Sequence, residues 1–325
     1  MDKVLADNLI DPESATTFTL EDPVYNAAGN VESGFLVAGT NRFPVINGIP
    51  RIVELANYAS NFGFQWNRHR QTQLDSFAGI NISEKRIAEV TGTSPAVWDG
   101  KRILEAGSGA GRFSEIFLKY KADLFSFDYS TAVDANWLNN HSYPGFHLFQ
   151  GNIYEIPFKP ATFDAVFCLG VIQHTPDPGA SFKCLAEQVK PGGQLYIDAY
   201  RKSAYSLFSW KYLLRPFLKN MNQKALYRLV VIMVNIFLPL SVILVKLLGN
   251  LGTKFLPVAD FHSIKLPSYA VRRSWSILDT YDWYSPAYDF PQTAENVRQW
   301  FSQNGFTDIQ VYNGSNGVIG RGTKV

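Results

Sequence analysis

The turn Glu105-Ala-Gly107-Ser-Gly109-Ala-Gly111 places three glycines at alternate positions directly behind an apolar run, Arg102–Ala106. Glycine lets the backbone approach a ligand closely and take φ values that a Cβ forbids, so the spacing predicts a binding turn between a strand and a helix. The next acidic residue at a strand end is Asp128, closing Leu124–Asp128, where a carboxylate can accept hydrogen bonds from both hydroxyls of a ribose. A nucleoside ligand is therefore expected. A dinucleotide fingerprint needs Gly-x-Gly-x-x-Gly; here the third glycine comes one residue early and Arg112 stands in its place. Candidate catalytic residues lie further on. His174 follows the apolar run Phe163–Leu169, and an imidazole titrating near neutrality suits deprotonation of a hydroxyl. Asp282 and Tyr284 belong to Asp282-Trp-Tyr-Ser-Pro-Ala-Tyr288, expected as a polar-aromatic loop walling the substrate cleft. His69, His141, His147 and His262 are scattered, and Cys168 and Cys184 have no metal-ligand spacing, so no metal site is expected.

The elements that must position these residues follow from periodicity. Short apolar runs alternate with amphipathic stretches from Lys101 onward. Phe113, Ile116, Phe117 and Tyr120 fall at i, i+3, i+4 and i+7, and Phe182, Leu185 and Val189 mark a second helix ended by Pro191-Gly192-Gly193. Gln194–Asp198 reads as a strand. A last helix starts near Thr293 and stops at Gly305, ahead of strands at Asp308–Tyr312 and Gly317–Gly320. Alternating strands and helices predict a doubly wound, mostly parallel sheet, an α/β fold. Tyr58 to Gly92 reads as helical and aromatic. Phe64 and Trp66 there are candidates to cap the ligand, although aromatic residues on a helix more often pack in the core. Before it, two apolar runs flank Asn47-Gly48, the dipeptide best suited to a tight primed hairpin turn.

The spacing Glu-x-Gly-x-Gly-x-Gly at 105–111 resembles the first motif of class I S-adenosylmethionine (SAM)-dependent methyltransferases. The resemblance covers roughly Ile103 to Ile197 and the closing helix and hairpin. Phe127-Asp128-Tyr129-Ser130 is similar to that family's ribose-binding strand end, and Gly151-Asn152-Ile153 to its adenine-contact turn, where Asp is commoner than Asn. Phe163 to His174 looks like its fourth strand, and Val189-Lys-Pro-Gly-Gly193 like the loop before its fifth. The resemblance implies a seven-stranded sheet with an antiparallel last strand and SAM as cofactor. It also implies cofactor contacts from Glu105, Gly107, Gly109, Gly111, Asp128, Tyr129, Asn152, Ile153 and Leu169. Glu105 is expected to help place the methionine end. Arg42 to Val53 resembles the small zinc-ribbon-like domain that activates tRNA methyltransferases and precedes some bacterial ones. Zinc versions carry paired cysteines where this chain reads Leu9-Ile-Asp-Pro-Glu-Ser14, so a metal-free remnant is expected.

Residues 1–56 are thus expected as a small β-rich domain, 57–100 as a helical cap, and 101–199 as the SAM-binding core. Residues 200–275 are expected as a helical insertion, and 276–325 as the substrate loop, last helix and closing strands. The insertion is the most distinctive stretch. From Tyr200 to Ala259 there are nine Lys and Arg and no Asp or Glu, against a whole-chain net charge of +2, so the remainder carries −7. Within it Leu229 to Val245 is uncharged, interrupted by Asn235, Pro239 and Ser241. A single membrane crossing would separate residues after Phe290 from the sheet they must complete. A hairpin broken at Pro239 has arms of only ~15 Å against a hydrocarbon core of ~30 Å. An apolar lid over the cleft, an element on an anionic membrane surface, or a structural or dimer-forming subdomain remain.

These readings lead to methyl transfer onto a small hydrophobic or lipid- or glycan-linked acceptor, with oxygen the favoured target. The alternatives are a SAM-binding partner or membrane adaptor without turnover, and a SAM-assisted cyclase or rearrangement enzyme. Nucleic acid is disfavoured as substrate, because the basic segment is interleaved with aliphatic runs rather than stacking aromatics and no Asn/Asp-Pro-Pro-aromatic motif occurs. Met1 to Ser14 holds four acidic residues and no long apolar run, so a cytoplasmic protein, peripheral at a membrane at most, is expected.

Overall fold

The computed structural model describes residues 1–54, 57–203, 209–249, 252 and 256–325. After helix α1 (Lys3–Asn8), the strands β1 (Thr19–Tyr25), β2 (Val31–Ala38), β3 (Asn41–Ile46) and β4 (Ile49–Ile52) form an antiparallel meander. Asn47 and Gly48 join β3 to β4 with φ of 52° and 77°, the two positive values of a primed turn. Helices α2 (Ser60–Arg68), α3 (Asp75–Ala78) and α4 (Ile82–Thr91) follow, as the helical reading of that stretch expects.

The core alternates β5 (Arg102–Ala106), α5 (Ser114–Lys119), β6 (Asp123–Asp128), α6 (Ala132–Asn140), β7 (Phe146–Gly151), β8 (Phe163–Leu169), α7 (Pro178–Gln188) and β9 (Val189–Ala199). Then come α8 (Trp210–Leu218), α9 (Gln223–Leu248), α10 (Tyr269–Tyr284), α11 (Ala294–Gln303), β10 (Phe306–Asn313) and β11 (Val318–Lys324). Spatial order is β7-β6-β5-β8-β9-β11-β10, with β5 to β9 parallel and β11 antiparallel to β9. This is the class I seven-stranded arrangement. The chain leaves β5 toward β7 and returns to start β8 beside β5, so the carboxyl ends of β5 and β8 form the topological switch point where such sheets bind ligands.

The N-terminal meander is not a sheet of its own. β4 pairs in parallel with β7, extending the sheet to eleven strands. His147 latches the two parts. Its Nδ1 lies 2.9 Å from Asp2 and its Nε2 2.9 Å from Asp123. The two carboxylates outweigh burial and raise the imidazole to about 9, while Asp2 and Asp123 are held below the usual carboxylate range. A histidine whose folded pKa exceeds its unfolded value contributes stability that is complete below the unfolded pKa of ~6.5 and is lost as pH rises through about 9. Thermal melts should therefore show Tm falling by several degrees between pH 7 and pH 10, and His147→Gln should flatten that fall.

Two expectations are corrected. Pro191-Gly192-Gly193 does not separate helix from strand. β9 already begins at Val189, and the register slips where Phe163 pairs Val189 but Ala165 pairs Gln194, absorbing the glycines as an irregularity. The hairpin broken at Pro239, already too short to span a membrane, does not form: α9 runs through the proline for 26 residues. A proline costs a helix interior ~3 kcal/mol. The stripe Leu226, Val230, Val234 and Leu238, fully buried against Ile277, Tyr281 and Tyr284, gains roughly 1.5–3 kcal/mol for each large side chain and outweighs that cost. Finally, Asp282 and Tyr284 lie in the last turn of α10 rather than on a loop. Ile277, Tyr281 and Tyr284 recur at helical spacing, and their burial extends the helix to the residue before Ser285.

Candidate functional site

A cleft of about 400 Å³ opens at the carboxyl ends of β5, β6 and β8. Its floor is the glycine turn. Gly107 and Gly109 have φ of 77° and 53°, a region that side chains avoid. A Cβ on Gly107 would collide with Val171, and one on Gly109 would stand 3.1 Å from the Trp66 indole, which covers the turn. Asp128 ends β6 beside it. Its Oδ2 accepts from the Gly109 N–H at 2.9 Å, and its Oδ1 from the Ser130 N–H and hydroxyl at 2.8 and 2.7 Å. An ionised carboxylate has about four acceptor positions, and with three taken one remains for a ligand hydroxyl. Burial pushes its carboxyl above the usual range. Tyr129, Ile153 and Leu169 line the same cleft, with Tyr58 set against Tyr129 at 5.1 Å between ring centres.

Three of the expected cofactor residues stand back from it. Glu105 sits behind the turn, where its Oε2 accepts from the Ser114 and Ser126 hydroxyls at 2.5 and 2.8 Å and burial pushes it up to about 7. Gly111 faces Asn136 and Asn140 of α6, which its missing side chain admits. Asn152 turns its Oδ1 back to the Tyr154 N–H at 3.1 Å, bracing the turn that presents Ile153. Phe64 packs on Tyr227 and Tyr281 instead of the cleft, whereas Trp66 on the same helix lines it.

Of the catalytic candidates, His174 and Asp282 reach the cleft and Tyr284 does not: its hydroxyl donates to the Pro257 carbonyl at 2.8 Å inside the α9–α10 core. His174 has a defined tautomer. Its Nδ1 lies 3.0 Å from the Tyr288 carbonyl, which can only accept, so Nδ1 carries the proton and Nε2 the lone pair. Nε2 is buried without a partner among the described residues. Burial lowers the imidazole below its ordinary value, against the pull of Asp282 and Asp289. Phe62 and Tyr200 pack on the ring at 5.2 and 5.4 Å, and the Tyr200 hydroxyl donates to Asp282 at 3.0 Å.

The sequence reading named Asp282 on the opposite wall but missed Trp275 and Asp279. Trp275, Asp279 and Asp282, at i, i+4 and i+7, face the cleft from α10, while Ile277, Tyr281 and Tyr284 of the same helix face α9. Asp279 is pushed up to about 7 by burial and by Asp282, although Arg112 and Arg86 pull it down. Gln73 links this wall to the floor, donating to Asp279 at 3.2 Å and accepting from Arg112 at 2.6 Å. Arg86 pairs Asp198 at 2.5 Å. Two-faced helical spacing over 275–284 was the available signal, masked by the aromatic residues on both faces.

The residues present suit SAM. Gln65 and Ser108 line the cleft with Oε1 and Oγ buried and unpartnered among the described residues, and the buried carboxyls of Asp128 and Asp279 call for hydroxyl donors or positive charge. Residues 104–197 match the family model described as a methyltransferase domain. The chain thus carries a class I SAM-dependent methyltransferase domain. Among curated proteins it is 25% identical over 149 residues to a ubiquinone biosynthesis O-methyltransferase of Paracidovorax citrulli, covering 42% of this chain and 59% of that protein. It is 30% identical over 103 residues to a tRNA U34 carboxymethyltransferase of Campylobacter curvus, covering 31% of this chain and 35% of that protein. The chain therefore spans less than two thirds of these relatives. A solved magnesium protoporphyrin IX methyltransferase of Synechocystis, with bound SAH, covers 82% of this chain and 97% of its own at 14% identity and a TM-score of 0.42.

Proposed function

We propose that the protein transfers the methyl group of SAM to a hydroxyl oxygen of a small, largely apolar acceptor, with His174 as general base. The observation that carries this reading is His174 in the lining of the cleft that the glycine turn and Asp128 floor, with its Nε2 buried and unpartnered among the described residues. SAM supplies an electrophilic methyl group on a positively charged sulfur; the chain's own residues do the rest. Asp128 binds a nucleoside hydroxyl, with Tyr129 and Ile153 flanking the base. Trp66, Phe62 and Val171 narrow the cleft and exclude water, which favours one approach geometry. The Tyr288 carbonyl holds the imidazole so that Nε2 accepts the acceptor's proton as the oxygen becomes nucleophilic. Phe261, Ile264 and Trp275 offer an apolar wall, and Asp279 and Asp282 a polar edge, for the acceptor. The O-methyltransferase name of the Paracidovorax relative supports oxygen as target. Lipid- or glycan-linked acceptors fit the same wall. Glu105, Gly111 and Asn152 act on the cofactor through the shape of the turns they brace.

Incubation with SAM and a small-molecule extract, followed by mass spectrometry, tests this. A product heavier by one CH2 that has lost an ionisable hydroxyl is expected; a product methylated on nitrogen or carbon, or none, overturns the reading.

A further inference from the structure

Helix α9 is apolar on every side, yet the described residues cover only one. Its buried stripe packs on α10, and 28% of its most apolar 18-residue window is buried. A helix that is hydrophobic all round is covered by something on its other faces. On the exposed side Ile232, Ile236, Leu240, Ile243 and Leu247 follow one another at spacings of three and four, 55%, 55%, 43%, 55% and 73% exposed. Arg228 and Lys246 stand exposed at the two ends of that row, with Lys224 one turn before. Helix α8 repeats the pattern with Trp210, Leu213 and Phe217, the last 78% exposed, followed by exposed Lys219. Of the nine basic residues between 200 and 259, Lys211 and Arg215 turn inward to Asp289. The segment contains no acidic residue to offset the others.

We propose that α8 and α9 form a docking surface for the face of an anionic lipid bilayer. An exposed aliphatic row bounded by lysine and arginine buries its side chains at the headgroup boundary while its cations meet the negative surface. The charge argues for lipid over a second copy of the chain, since two such faces brought together would set cation against cation. By length and composition α9 is also able to cross a membrane. Its packing against α10, whose other face walls the cleft, keeps it with the domain and along the surface. The surface is independent of the methyl-transfer reading and stands without it.

Flotation with vesicles of phosphatidylglycerol and phosphatidylcholine, against phosphatidylcholine alone, tests the proposal. The protein is expected to float with the anionic vesicles, to leave them at high salt, and to be released by alkaline carbonate. Each basic residue near the surface contributes about fivefold to partitioning, so Lys224→Glu with Arg228→Glu is expected to weaken it at least ~25-fold. Ile232→Glu with Ile236→Glu is expected to abolish it, with SAM binding retained as evidence of folding. Equal binding to neutral vesicles, binding to neither, resistance to carbonate, or a dimer dissolved by the isoleucine substitutions would overturn it.

Discussion

His174→Ala is expected to lower kcat by roughly 10²–10⁴-fold, the usual contribution of a positioned general base, while SAM affinity stays within about threefold. One ring has two differently occupied nitrogens: Nδ1–H is fixed by the Tyr288 carbonyl, and Nε2 is buried and unpartnered among the described residues in a side chain that lines the cleft. Burial lowers the imidazole pKa, so the neutral, basic form persists through and below neutral pH. The acid limb of kcat/KM should accordingly lie below the ~6.5 of an ordinary histidine. His174→Gln keeps a hydrogen-bonding group near Tyr288 without a base, and separates loss of anchoring from loss of proton transfer. Steady-state kinetics alongside calorimetric SAM binding check both. A drop of less than fivefold in kcat with the fold intact makes His174 an anchor for the 288 segment and nothing more.

Asp128→Ala is expected to weaken SAM binding by roughly 10²-fold or more. A hydrogen bond from a ligand hydroxyl to the position left on this buried carboxylate is worth ~1.5–3 kcal/mol. The same substitution strands the Gly109 and Ser130 donors, at 2.9 and 2.8 Å from the carboxylate, so the glycine turn loses its brace as well. Stability should fall by about 1–3 kcal/mol from those unpaired groups. Asp128→Asn keeps one acceptor oxygen and should lie between the two. Because burial raises the Asp128 carboxyl, affinity should already weaken as pH falls from above the usual carboxylate range.

The core was legible because its signals are local. Arg102–Ala106 and Phe163–Leu169 are short apolar runs between turns, and strands form there residue for residue. Thr293 announced its helix through a side chain that caps the Asn296 N–H, and Asn47-Gly48 its hairpin through positive φ. The glycine turn and Asp128 were readable for the same reason, since their spacing is set by one strand-turn-helix unit. What failed depended on distant packing. That one helix would run through Pro239 depends on the stripe packed on α10. Tyr284 looked polar and available, but a carbonyl 27 residues away takes its hydroxyl. Asp279 stood unmarked among aromatic residues, and only the folding of α10 against Gln73 and Arg112 brings it to the cleft. The pairing of β4 with β7 is likewise a contact across about a hundred residues, beyond any local pattern.

Methyl transfer is assigned to this one cleft. The most direct test is incubation of the purified protein with SAM labelled on its methyl group and a small-molecule extract, followed by organic extraction and counting. The wild-type protein should move label into an extractable product, and Asp128→Ala and His174→Ala should each reduce that transfer at least ~100-fold at equal fold content. Label transferred equally well by Asp128→Ala, or none transferred by a wild-type protein that binds SAM, would contradict it.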